Sequence, residues 1–117
     1  MARFPGFVFS KGVEPDPRFS MANERTFLAW IRTALALVAT GVALQALAVD
    51  IEPGLRLAAA IIFIALGVIS AVQAWVGWAR SELALRMQRA LPPPAIGILI
   101  SVGVVAAVAL IAIGFFV

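Results

Sequence analysis

The stretch Ala95–Val117, AIGILISVGVVAAVALIAIGFFV, decides the fold. It carries no charged side chain, and Ser101 is its single hydroxyl. About 20 residues of helix cross a bilayer core, so an apolar run of about 23 reads as a membrane span. Two comparable runs precede it, Thr26–Val49 and Leu57–Ala79. Between Arg56 and Arg80 the second run has no charge, whereas the first contains Arg32. The expected fold class is an all-α integral membrane protein with three transmembrane helices, at about residues 20–49, 55–91 and 95–117. Residues 20–117 then form one membrane domain.

Composition points the same way. The chain has 117 residues, of which 63% are hydrophobic and 13% charged, against about 25% charged in soluble domains. Mean hydropathy is +1.06. Cysteine and histidine are both absent, which removes thiol chemistry, disulfides and the commonest general base and metal ligand. No glycine-rich phosphate loop or activated nucleophile is present. The sequence therefore predicts neither an enzyme nor a bound metal or cofactor.

The spans are well punctuated. Asp50-Ile51-Glu52-Pro53-Gly54 is a turn signal between the first two, and Pro92-Pro93-Pro94 stops any helix before the third. Residues 1–19 are rich in proline and phenylalanine and read as an extended cytoplasmic arm. The h-region of a cleaved signal peptide is not evident there. Ser20 is the expected N-cap of the first long helix, with Asn23 and Glu24 in its first turn.

Basic residues set the expected orientation. Arg3, Lys11, Arg18, Arg25, Arg32, Arg80, Arg86 and Arg89 gather on one side of the spans, and Arg56 alone lies on the other. The positive-inside rule places the richer side, and with it the N-terminus, in the cytoplasm and the C-terminus outside. Trp30, Trp75 and Trp78 fit an aromatic belt at that level. The net charge of +3 thus reports topology, and no nucleic-acid partner is expected.

Arg32 is the sharpest single residue, because a charge inside a span costs about 2.5–3.5 kcal/mol on insertion scales. Arg25 lies seven residues earlier on nearly the same face, which continues through Ala29, Ala36, Ala39 and Ala43. Small residues permit close helix approach, so this face suits a bundle interior or pore. The competing reading is snorkelling, since Arg32 sits only about 9 Å past Thr26 at 1.5 Å per residue. Arg80, Glu82, Arg86 and Arg89 form a second cluster, read either as an electropositive vestibule for phosphate-like anions or as a solvated helix end touching anionic lipid. Gln73 extends a polar stripe from Arg80 into the membrane, and Gln45 is a second amide expected to bond across helices. Glu24 and Glu82 are expected to pair with arginines. Gly67, Ser70, Ala71, Ala74 and Gly77 read as a helix-packing stripe, as do Ala29 and Ala36 on the first helix.

The stretch Asp16-Pro17-Arg18-Phe19-Ser20-Met21-Ala22-Asn23-Glu24-Arg25-Thr26-Phe27-Leu28-Ala29-Trp30-Ile31-Arg32-Thr33 resembles the signature of the YidH-type family of small inner-membrane proteins, which carry domain of unknown function 202. The resemblance returns at Trp78-Ala79-Arg80 and from Ala84 to Pro92. The family is in turn similar to the small membrane subunit of the eukaryotic vacuolar transporter chaperone complex, where three-helix subunits surround a polyphosphate pore. This resemblance implies a multi-pass inner-membrane protein and a homo-oligomer, with five subunits favoured and four next. It also implies that Glu24 and Arg25, joined by Arg80, lie near a pore entrance. The expected partners are the lipid bilayer, further copies of the chain and phosphate-like anions. Two functions remain open: an anion pore or binding vestibule built on Arg25, Arg32, Arg80 and Arg86, or a non-conducting accessory subunit that binds anionic lipid or stabilises a membrane complex.

Overall fold

The computed structural model describes residues 6–91 and 96–117. Its helices are α1 (Gly6–Phe9), α2 (Pro17–Ala46), α3 (Pro53–Arg86) and α4 (Ile96–Phe115). The last three are each long and apolar enough to cross a membrane. At 1.5 Å per residue, α2 with 30 residues and α3 with 34 are about 45 and 51 Å long, well beyond a hydrocarbon core of about 30 Å. Their excess length meets at the arginine-rich end, where the start of α2 lies against the end of α3.

The helix ends follow from local chemistry. Asp16 caps α2, its carboxylate accepting from the Arg18 N–H at 2.9 Å, with Pro17 at the first helical position. Proline suits that position because its missing N–H would have no helical partner. Arg18 also holds the Asp16 carboxyl below its ordinary range, its side chain first and its backbone N–H second. At the opposite end of the molecule Glu52 caps α3 in the same way, accepting from the Leu55 N–H at 2.7 Å. That bond, then the Gly54 N–H, lowers its pKa. Helix α2 therefore begins three residues before Ser20, which is not its N-cap. Both long helices stop in Schellman turns. Ala48 (φ 47°) and Gln88 (φ 56°) take the left-handed position. The Val49 N–H then reaches back to Leu44 and the Arg89 N–H to Ala84, satisfying carbonyls that the helix leaves open. These turns end α2 at Ala46 rather than 49 and α3 at Arg86 rather than 91.

Helix α3 is the centre of the molecule. It packs against α2 on one side and α4 on another, and among the described residues no Cα of α2 lies within 8 Å of one of α4. In lipid the hydrophobic effect gives helices little reason to associate, so close packing must supply the attraction. Two glycines provide it between α2 and α3. A Cβ on Gly41 would lie 2.7 Å from the Ala60 carbonyl oxygen, and one on Gly67 would lie 2.8 Å from that of Ala34. Backbone rests on backbone at both points. On the other side, Gly103 of α4 receives the Leu66 side chain of α3, and Gly114 packs on Ile51 while its carbonyl accepts from the Glu52 N–H at 3.2 Å. The buried core runs through Leu37, Leu44, Ala59, Ala60, Phe63, Leu66 and Ala107.

The packing stripes differ from expectation. Ala29 and Ala36 are exposed, because the buried face of α2 is Ala34, Leu37, Gly41 and Leu44. On α3, Gly67 and Ala74 are buried and Ala71 is half-buried. Gly77 is not a packing glycine: a Cβ there would meet only the Gln73 amide nitrogen, at 3.8 Å. The arm is not wholly extended either. Its residues 6–9 form one helical turn with Val8 fully buried, and residues 17–19 belong to α2. The parts of the arm before Gly6, and the Pro92–Pro94 connector, lie outside the described residues.

Candidate functional site

The signature at the start of α2 is a clamp on α3. Glu82 is only 5% exposed. Its carboxylate accepts from the Ser20 hydroxyl at 2.8 Å and from the Asn23 amide at 3.4 Å. The same Asn23 amide donates to the Trp78 carbonyl at 3.1 Å, and the Trp78 indole N–H donates to Glu24 at 3.1 Å. Ser20, Asn23 and Glu24 fall together on the α3 side of α2 because they are spaced i, i+3, i+4 along the helix. A buried carboxylate is tolerated only when hydrogen-bonded, and here both of its oxygens are engaged. Neither Glu24 nor Glu82 forms an ion pair with an arginine among the described residues. The expected pairing is replaced by neutral donors of α2 and by the Trp78 indole.

A second assembly docks the arm. Arg86 is 7% exposed. Its guanidinium donates to the Lys11 carbonyl at 2.9 Å and the Phe9 carbonyl at 3.1 Å, and lies 5.3 Å from the centre of the Phe9 ring. The Val13 N–H returns a bond to the Arg86 carbonyl at 3.0 Å. Gly12 allows this approach with its φ of 60°, since a Cβ there would overlap the Arg86 carbonyl. Phe7 packs edge-on against Trp75, and Phe9 against Trp78. The tryptophans expected in a lipid-facing belt therefore hold the arm. Arg86, expected on an anion pathway, is spent on backbone carbonyls. Trp75 lies nine residues from Leu66, two and a half helical turns, so the arm and α4 occupy opposite sides of α3. Charge-assisted hydrogen bonds contribute about 1.5–3 kcal/mol each. Arg86→Ala is expected to release the arm without unfolding the spans. Trypsin cleavage after Lys11 in detergent-solubilised protein should rise at least tenfold, as read by mass spectrometry.

Three other arginines are unengaged. Arg25, Arg32 and Arg80 are exposed and have no partner among the described residues. Arg25 is nine residues from buried Ala34, and Arg32 nine from buried Gly41, so both arginines lie on the face of α2 turned away from α3. Arg80 lies elsewhere. It lines a cleft of about 100 Å³ where α2, α3 and the start of α4 meet, together with Trp30, Gln73, Gly77 and Ser81. Within one chain the three arginines are thus not brought together. At the far end, Gln45 accepts from Arg56 at 2.9 Å, and Arg56 also donates to the Val49 carbonyl. Among the described residues no group of three or more acidic side chains could hold a metal ion.

Known proteins share this arrangement of sequence. Residues 18–84, from the clamp of α2 to the clamp of α3, match the family described as a domain of unknown function, DUF202. The chain is 42% identical over 82 residues to the inner membrane protein YidH of Escherichia coli strain K12, an alignment covering 69% of this chain and 71% of that protein. It is 39% identical over 81 residues to an uncharacterized protein, Rv2272, of Mycobacterium tuberculosis, covering 68% and 66% of the two chains. No solved structure gives a significant match. With three apolar spans, and with both halves of the clamp inside the matched region, the chain belongs to the DUF202 family as a multi-pass inner-membrane protein of the YidH type.

Proposed function

We propose that copies of this chain assemble, N-terminus in the cytoplasm, into a closed ring around the outward face of α2, and that Arg25 and Arg32 line an anion-attracting vestibule at its axis. One observation carries this reading. Two arginines one heptad apart occupy an α2 face that nothing among the described residues covers, while both nearby carboxylates are committed to α3. Ala29 and Ala36 on the same face leave room for a neighbouring helix to approach. Rings of arginine concentrate phosphate-like anions, and charged rings are an established route to anion selectivity. Closed cyclic symmetry is the usual outcome for repeated subunits, with five copies favoured and four next. The eight-to-one distribution of basic residues supports the orientation. Nothing in this reading requires catalysis.

The test is flux. Purified protein in liposomes is expected to release entrapped phosphate or short polyphosphate above the rate of empty liposomes, and Arg32→Ala should lower that release about tenfold. No release by the wild type, with Arg32→Ala changing only oligomer stability, would overturn conduction. It would leave α2 as a subunit-packing face in an accessory protein.

A further inference from the structure

We infer that the cleft at Arg80 binds the phosphate of a single anionic phospholipid. The inference does not rest on the ring or on conduction, because every residue of the cleft belongs to one chain.

The lining is rich in unused donors. The Arg80 guanidinium, the Gln73 amide, the Ser81 hydroxyl and the Trp30 indole N–H all border the cleft, and none has a partner among the described residues. By contrast the Asn23 amide and the Thr26 hydroxyl beside them are already engaged, with Trp78 and Ala22. No carboxylate lines the cleft. Donors without acceptors, around a guanidinium, complement a phosphate.

Depth favours a lipid headgroup over a free anion. Arg80 is the first charge after the apolar run of α3, the level at which headgroup phosphates lie. Basic pockets between membrane helices are a known setting for lipid headgroups. Phe27, Ala74 and Ile96 give the cleft an apolar wall beside the Gln73 amide. Gly77 keeps it open, since a side chain there would meet only Gln73.

Trp30 and Trp78 line the cleft, which makes tryptophan fluorescence the readout. Protein is placed in phosphatidylcholine nanodiscs, and phosphatidylglycerol or phosphatidylcholine with brominated acyl chains is titrated in. The brominated anionic lipid is expected to quench at about fivefold lower mole fraction than the brominated zwitterionic one. Arg80→Gln should remove that preference, as should Gly77→Leu, which fills the cleft. Arg89→Gln, an exposed arginine outside the cleft, should retain it. Arg80→Gln alters an exposed side chain, so it keeps the inference testable if Gly77→Leu folds poorly. Equal quenching by the two lipids, or an unchanged preference in Arg80→Gln, would overturn the inference. So would loss of the preference on adding millimolar inorganic phosphate, which would assign the site to a soluble anion.

Discussion

Gly67→Val is expected to separate α2 from α3 and to destabilise the protein by about 3 kcal/mol, the upper end of the usual overpacking range. The added Cβ would fall 2.8 Å from the Ala34 carbonyl oxygen and 3.1 Å from the Val38 nitrogen. Both are backbone atoms in the middle of a helix and cannot step aside as a side-chain tip can. Relief requires moving the whole of α2, which also breaks the matching contact at Gly41 and strains the clamp. Thermal unfolding in detergent reads the loss. Gly77→Val on the same helix is the control for the helix propensity of valine, because its Cβ enters open space. It should leave stability within about 1 kcal/mol of the wild type, because valine is no worse a helix former than glycine. Equal effects of the two substitutions would show that the close approach is not what holds α2 and α3 together.

The second large effect belongs to the clamp. Asn23→Leu removes the amide that serves both the Glu82 carboxylate and the Trp78 carbonyl. Glu82 would then keep only the Ser20 hydroxyl while remaining buried. Leaving a buried charged group short of a donor costs about 2–3 kcal/mol. Replacing Glu82 with leucine as well removes the stranded charge, so the double variant is expected to be more stable than Asn23→Leu alone. A double-mutant cycle measures that coupling. Strict additivity of the two changes would mean that the carboxylate and the amide do not depend on one another.

The sequence reading reached the three spans because each is a long run almost without charge, and a bilayer permits few other structures. Helix ends were harder. The Schellman positions are Ala48 and Gln88, where the usual signal is glycine, so nothing local announced the stops at Ala46 and Arg86. Asp16-Pro17 did announce the start of α2, as an N-cap followed by proline at the first helical position. It was obscured by neighbouring prolines that read as helix-excluding. The arginine face of α2 was legible from the seven-residue spacing of Arg25 and Arg32. The roles of Glu82 and Arg86 were not. Their i, i+4 spacing suggests a local ion pair, whereas their partners come from Ser20, Asn23, Phe9 and Lys11, more than 50 residues away. Long-range partners leave no periodic trace in a single chain. For the same reason the cleft was invisible, since it exists only where three helices meet.

The clamp also imposes an order on biogenesis. Its hydrogen bonds join residues 54 to 62 positions apart, so the motif at the head of α2 leaves the ribosome long before its partners. Until α3 has crossed back, Ser20, Asn23 and Glu24 must be satisfied by water or headgroups. They can be, because they precede the apolar span. The α2–α3 hairpin can lock only after two crossings, and α4, which packs on α3 and on the Ile51–Glu52 turn, is then added to a finished unit.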